Sequence, residues 1–313
     1  MKGASSVAKQ YMYSEVFHSF QGEGHYTGVP TLWLRFFLCN LQCNGFGQKD
    51  PTDPSTYQLP YLDLDLEEVD ENGEKKYQRM KDLPVFEFGC DSSYSWSKKY
   101  KGLQYKGTAA EIADDLLNHS YNGNTEESRA HLAATNHLCF TGGEPLMKHA
   151  QSATVEIMDY LASEYGMVFP SATYETNGTQ DLTRDFVEGW QRFQDRGTEL
   201  FFSLSPKLWS TSGEEVEKAI PVHNVVDYYE LSNKGQLKFV VNGTQQSWDE
   251  AEAAIARFHA AGIDYPVWIM PSGATKEQQS LPTVAEISNE SIKRGYKVSA
   301  RVHTYIYGNQ IGT

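Results

Sequence analysis

The sequence predicts an α/β fold built on a mainly parallel sheet, open or closed into a barrel, with helices outside it. Three observations predict it. Short runs of β-branched and aromatic residues end in polar or Gly/Pro turns, helical patterns lie between most of them, and 313 residues suit one large single-core domain. In such folds the active site gathers at the C-terminal ends of the strands.

In chain order the strand candidates are TLWLRFFL (31–38), HLCFTGGEP (137–145), ATYETNGT (172–179), ELFFSLSPK (199–207), QLKFVVNGT (236–244), PVWIMPSG (266–273) and KVSARVHTY (297–305). Each has the length of a buried strand, and polar residues collect at its C-terminal end. Helix starts carry capping boxes, in which a Ser or Thr hydroxyl accepts a backbone N–H three residues on and an acid there returns the bond. Thr108 with Glu111, Ser247 with Glu250 and Thr283 with Glu286 are three such pairs, and the last two helices stop at glycine. Residues 44–107 break the alternation. Rich in Pro and acids, they read as an insertion lying over the surface, with Asn72-Gly73 placed to turn a small hairpin. The expected organisation is a single domain over 1–313 with an inserted loop or small hairpin region at about 44–89.

Composition excludes several classes. With 27 Lys and Arg against 41 Asp and Glu, the formal charge of −14 disfavours direct nucleic-acid binding. Apolar runs fall far short of the ~20 residues that span a bilayer. The start, MKGASSVAKQYMYSEVF, lacks an apolar core followed by a cleavage site, so a soluble, cytoplasmic protein is expected. In a reducing compartment four cysteines favour metal or catalytic use over disulfides.

Cys39 and Cys43 form a C-x3-C pair, and Cys90, followed by Asp91 and Ser92, is the next cysteine. Three thiolates suit a [4Fe–4S] cluster with one iron open to a small molecule; zinc and unrelated buried cysteines are the alternatives. Cys139 lies inside a strand and reads as a packed thiol. Thr141-Gly142-Gly143-Glu144-Pro145 is either a backbone-close ligand turn or an ordinary strand-to-helix turn. Glu175, Thr176 and Asn177, and Ser205 with Lys207, fall at strand ends, where Lys207 otherwise reads as a solvated charge. Arg35, on an apolar strand, needs a carboxylate partner, either a ligand's or a structural one. Gln21, Gly22 and Glu23 form a flexible turn or a polar recognition loop.

The segments HSFQGEGHYTGVPTLWLRFFLCNLQC, CDSSYSW, TGGEPL, ETNGT, SPK and RVHTYIYGN, in that order, resemble the 7-carboxy-7-deazaguanine synthases. These are radical S-adenosylmethionine (SAM) enzymes of 7-deazapurine (queuosine-type) biosynthesis. The resemblance covers nearly the whole chain outside the insertion. It implies a partial, incomplete TIM-like barrel of the radical SAM type. That family usually has C-x3-C-x2-C; Phe46 stands where the third cysteine belongs, and the pattern resumes at Cys90. The resemblance therefore makes Cys39, Cys43 and Cys90 the [4Fe–4S] ligands, with an insertion splitting the loop before the last one. Closing so long a loop is tolerable if its ends are held together.

What the resemblance implies further is ring contraction of 6-carboxy-5,6,7,8-tetrahydropterin to 7-carboxy-7-deazaguanine with loss of ammonia, a carbon–nitrogen lyase reaction. It implies SAM contacts from Gly89, Cys90, Asp91, Gly142, Gly143, Glu144, Ser205, Pro206 and Lys207, and a Mg²⁺ hydroxyl from Ser92. It implies substrate contacts from Phe20, Gln21, Gly22, Glu23, Arg35, Thr141 and Thr313, with His303 packed near the barrel mouth. A flavodoxin or ferredoxin as electron donor and a homodimer belong to the same expectation. Another small-core radical SAM enzyme, such as a glycyl-radical activase, and a non-enzymatic zinc-binding protein are the competing functions.

Overall fold

Among the described residues of the computed structural model, which are 8–121, 123 and 125–313, nine strands form one sheet. They are β1 (Tyr11–Phe20), β2 (Pro30–Phe36), β3 (Tyr105–Gly107), β4 (His137–Gly142), β5 (Ser171–Thr176), β6 (Glu199–Leu204), β7 (Gly235–Val241), β8 (Val267–Pro271) and β9 (Lys297–Val298). The order is β3-β1-β2-β4-β5-β6-β7-β8-β9. From β2 through β4 to β9 every pairing is parallel, whereas β1 runs antiparallel to both β2 and β3. No described pairing joins β9 back to β3, so the sheet is an open, incomplete barrel. Residues 1–7 of the start read for a secretory signal lie outside the described residues. No described helix is long and apolar enough to cross a membrane.

Period-two alternation gives the sheet its two faces. Leu138 and Phe140, Ala172 and Tyr174, Leu200, Phe202 and Leu204, and Leu237, Phe239 and Val241 point to one side. There they pack with Ala150, Ile157, Phe186, Trp190 and Phe258 of helices Lys148–Tyr165, Arg184–Asp195 and Gln245–Ala260 in the main core. Their alternates face the barrel interior, where Thr141, Glu175, Ser203 and Lys238 set polar groups among the apolar Cys139, Phe201 and Val240. The sequence therefore supplies an apolar outside for the helices and polar groups inside for a site.

Three expectations need correction. KVSARVHTY is a strand only at Lys297–Val298; beyond it the Ser299 hydroxyl accepts Gly24 N–H at 3.0 Å, Arg301 turns inward, and helix Val302–Tyr307 begins. Helix Gln245–Ala260 opens at Thr244, whose hydroxyl accepts Ser247 N–H; Glu250 instead accepts the Ser210 N–H and hydroxyl at 2.9 and 2.7 Å. Helix Pro282–Lys293 starts after Leu281 with no side-chain cap. The Thr108–Glu111 capping box stands as expected. β1 and β3 were not foreseen.

Within the insertion Val69 bridges Lys75 antiparallel, and Gly73 N–H reaches Asp70 O at 3.0 Å with φ 80°. The rest does more than cover the surface. Tyr61, Tyr77, Met80, Leu83 and Phe86 bury themselves with Tyr94 and Tyr100 in a second small core, with Ile311 packed against it. The ends of the excursion meet, because Gly89 N–H donates to Phe46 O at 2.7 Å.

Candidate active site

A single cavity inside the barrel is bordered by Cys39, Cys43 and Cys90, by Arg35, Thr141, Glu175 and Lys238 of the inward strand faces, and by Gln21 and Glu23. Most of it lies at the strand C-terminal ends, as expected for this fold. The floor does not. The loop after β1 runs back into the barrel, where His25 N–H donates to Gln236 Oε1 at 3.0 Å and Tyr26 packs on His137, both near the starts of their strands. Gln21 and Glu23 thus reach the cavity from below.

A chain of buried charges crosses that floor. The Lys238 ammonium, 3% exposed, lies 2.6 Å from Glu23 Oε2 and 3.0 Å from Glu175 Oε2. Arg301 Nε donates to Glu23 Oε1 at 2.9 Å and its Nη2 to Asp91 Oδ2 at 2.7 Å. Gln21 Nε2 and Ser203 Oγ add bonds to Glu175 at 3.0 and 2.9 Å. Burial alone would raise the Glu23 carboxyl, but Lys238 and then Arg301 reverse that and hold it far below the usual carboxylate range. It is an acceptor at neutral pH. His303, 4.0 Å from Glu23, is pushed down to about 4 by burial and then by Arg301, so its ring is neutral there.

The cysteine loop is held in an unusual conformation. Leu38 (φ 92°) and Cys43 (φ 53°) are non-glycine residues in the left-handed region. Glu144 N–H donates to Leu38 O at 2.9 Å, Leu38 N–H to Ser95 O at 2.8 Å, and the Gln42 and Cys43 N–H groups to Glu214 Oε1 at 2.7 and 2.8 Å. Burial pushes the Cys39 thiol up to about 12 and Cys43 and Cys90 above their ordinary range, and each is close enough to raise or be raised by another. Such thiols stay protonated until a metal centre displaces the protons. Among the described residues no three His, Cys, Asp or Glu side chains converge on a single ion. Three soft thiol donors bordering one cavity match the donor set of an iron–sulfur cluster, whose irons take one thiolate each. Phe46, in the place of the missing cysteine, lies 5.7 Å beneath the Lys207 ammonium.

Gly142 and Gly143 prove essential to the same loop. A Cβ at Gly143 would lie 2.3 Å from Leu38 O and 2.8 Å from Cys39 Cβ, and Gly142 adopts φ 148° against Phe36. The glycines let β4 approach the cysteine loop, leaving Cys39 at the cavity edge. Gly143→Ala is expected to destabilise the protein by about 1–3 kcal/mol through overpacking, read as a lower urea midpoint with unchanged slope. Glu144 is fully buried; it accepts Leu146 N–H at 2.9 Å, Thr176 Oγ at 2.6 Å and Asn177 N–H at 2.8 Å. Of the residues read as cofactor contacts, Cys90, Asp91, Gly142, Gly143, Ser205 and Lys207 border the cavity, whereas Gly89, Glu144 and Pro206 do not. Phe20, Gly22, Ser92, His303 and Thr313 border it as well. Cys139 is buried against Phe17 and Trp33, which border the cavity while the thiol itself does not.

Arg35 combines the two readings its sequence left open. Its Nε donates to Glu15 Oε1 at 2.6 Å, a cross-strand pair in the β1–β2 register, and the Tyr94 hydroxyl donates to the same oxygen at 3.1 Å. No described side chain bonds the two η nitrogens, and Arg35 borders the cavity. Glu15, Tyr94, Glu214, Lys238 and Arg301 escaped sequence reasoning. A lone lysine within QLKFVV carried the same signal as the arginine within TLWLRFF.

No family model matches the chain. A 7-carboxy-7-deazaguanine synthase of Thermoplasma acidophilum is 50% identical over 304 residues, covering 96% of this chain and 98% of its own. Proteins of the same name from Rhodopirellula baltica and Pyrobaculum aerophilum are 24% and 23% identical over 99% and 95% of this chain, and 91% and 95% of their own. The crystal structure of QueE from Escherichia coli aligns over 94% of this chain and 95% of its own, at TM-score 0.47 and 20% identity.

Proposed function

The chain belongs to the 7-carboxy-7-deazaguanine synthase family, and from that membership and the cavity's lining we propose how its residues serve the reaction. The reaction is the radical SAM ring contraction of 6-carboxy-5,6,7,8-tetrahydropterin to 7-carboxy-7-deazaguanine with release of ammonia. The observation that carries the reading is the meeting of three cysteines, an arginine with free η nitrogens and the Gln21–Glu23 loop in one cavity. An alternative zinc-binding protein has no use for the last two.

Cys39, Cys43 and Cys90 hold the cluster in this reading, and Ser205, Lys207 and the Gly142-Gly143 backbone border the place for SAM. Bound there, the two cofactors supply the radical hydrogen abstraction. The protein's own part is recognition and orientation. Glu23, kept ionised by Lys238 and Arg301, accepts N–H bonds from the pterin's amide and amino edge, and Gln21 offers both donor and acceptor. The η nitrogens of Arg35 grip the substrate carboxylate from the opposite side in a two-point bond. Thr141 and Thr313 complete the lining.

Ser92, whose hydroxyl lies 3.4 Å from Cys90 Sγ, supplies one oxygen to a Mg²⁺ that otherwise keeps waters and meets the substrate. Family membership supports a flavodoxin or ferredoxin as the physiological electron donor, a homodimer as the assembly and the cytoplasm as the compartment, and the one continuous sheet supports a single domain with the 44–89 insertion. The decisive experiment is anaerobic reconstitution followed by incubation with SAM, reductant, Mg²⁺ and carboxytetrahydropterin. Release of 7-carboxy-7-deazaguanine is expected, and SAM cleavage with no pterin product would point to a different substrate. In the same assay Ser92→Ala is expected to raise the Mg²⁺ needed for half-maximal rate roughly tenfold at unchanged iron content, the equivalent of one lost bond to a charged group. An identical Mg²⁺ titration would refute its role.

A further inference from the structure

We propose that Arg301 is a positioning residue that registers the Cys90-Asp91-Ser92 segment on the loop carrying Gln21 and Glu23. The need arises from the insertion. Residues 44–89 separate Cys90 from Cys43, so the chain between them no longer fixes where Cys90 and Ser92 sit. Across its neck, Gly89 N–H to Phe46 O is a single hinge-like bond. Leu38 N–H on Ser95 O and the Tyr94 hydroxyl on Glu15 tie the far end of the segment to the barrel, which leaves its Cys90-Asp91-Ser92 end to be set against the barrel floor.

Arg301 is placed to do so. It is buried, and each of its three nitrogens serves a different piece of chain: Nε donates to Glu23 at 2.9 Å, Nη1 to Gly273 O at 2.8 Å, and Nη2 to Asp91 at 2.7 Å. Its own backbone is tied to the same floor loop, because Val302 N–H donates to Gly22 O at 2.9 Å. Glu23 is in turn fixed from β7 by Lys238, which also holds Glu175 of β5. The guanidinium is therefore rooted in the barrel, and Asp91 is the one partner it takes from the segment beyond the insertion. A planar fork with donors in fixed directions can set three partners at once, whereas an ammonium is a point charge that satisfies fewer.

The positional claim is independent of the reaction, and only its consequence for cluster and Mg²⁺ rests on the function proposed above. The test is hydrogen exchange on the cluster-free full chain, comparing wild type with Arg301→Lys, Asp91→Asn and the double variant. Residues 89–97 carry protected amides, since Ser93, Ser95, Trp96 and Ser97 N–H groups bond within the segment. Exchange there is expected to quicken at least tenfold in either single variant, with no further gain in the double, while β4–β7 exchange as in wild type. If Arg301→Lys fails to fold, Asp91→Asn still decides, because it leaves the Glu23 and Gly273 bonds intact. Unchanged exchange over 89–97, or a uniform increase across the whole barrel, would overturn the proposal. Absence of pterin turnover in wild type would instead remove the functional reading and leave the exchange result standing.

Discussion

Cys90→Ala is expected to abolish the [4Fe–4S] signal in reduced-state EPR and to lower iron and acid-labile sulfide per chain to background, while Cys139→Ala retains both. Cys90 lies at the cavity edge with Cys39 and Cys43, whereas Cys139 is fully buried against Phe17 and Trp33 and does not border the cavity. Two remaining thiolates leave two irons without protein ligands, and such a cluster is exposed to loss and oxidation. The apo variant should fold as wild type does, because the segment's backbone is held by other groups: Gly89 N–H on Phe46 O, Ser93 N–H on Cys90 O at 3.1 Å, and Asp91 on Arg301. Equal melting temperatures for apo wild type and variant therefore accompany the loss. Full cluster occupancy in Cys90→Ala would sink the assignment and return the third ligand to an open question.

Cys90 is a candidate third ligand because of the residues that follow it. Spacing could not reveal it, since 46 residues between Cys43 and Cys90 encode no geometry by themselves. The motif after it makes it a candidate, and the Gly89–Phe46 bond brings the two ends of the insertion together. By the logarithmic law, lengthening a flexible loop from 2 to 46 residues costs about 3 kcal/mol, and burial of apolar surface in the aromatic core around Tyr61, Phe86 and Tyr100 works against that cost. Buried strands were readable from β-branched and aromatic runs because burial on both faces demands them. β1 was missed because its Ser14, Glu15 and His18 interrupt the apolar pattern, and Glu15 is the residue that the site requires there. The helix caps failed for a related reason. Ser-x-x-Glu at 247 and Thr-x-x-Glu at 283 satisfy a local rule, but Thr244 offers an earlier hydroxyl and Ser210 draws Glu250 away. Local signals name candidates, and tertiary partners choose among them.

Arg35→Lys is expected to cut kcat/KM for carboxytetrahydropterin roughly ten- to hundredfold while leaving SAM affinity unchanged. The wild-type guanidinium divides its donors: Nε is committed to Glu15 at 2.6 Å, and the η pair remains for a ligand carboxylate. A lysine has one ammonium for both tasks. Held by Glu15 and the Tyr94 hydroxyl that shares its oxygen, it falls short of the substrate; drawn to the substrate, it leaves Glu15 buried and unpaired. A charge-assisted bond contributes about 1.5–3 kcal/mol, which converts to the stated range of rate loss. SAM affinity is expected to hold because the residues proposed to border SAM, Gly142, Gly143, Ser205 and Lys207, are untouched. Glu15→Gln separates positioning from stability. Losing one partner of a buried pair costs about 3–5 kcal/mol, so that variant should melt well below wild type, with its kinetic loss tracking the fraction folded only if Arg35 serves the fold alone. If Arg35 grips the substrate, Glu15→Gln assayed below its melting range still shows a raised KM, because the guanidinium has lost the carboxylate that aims it. Wild-type kinetics in folded Arg35→Lys would remove the residue from substrate recognition and leave it as a structural ion pair.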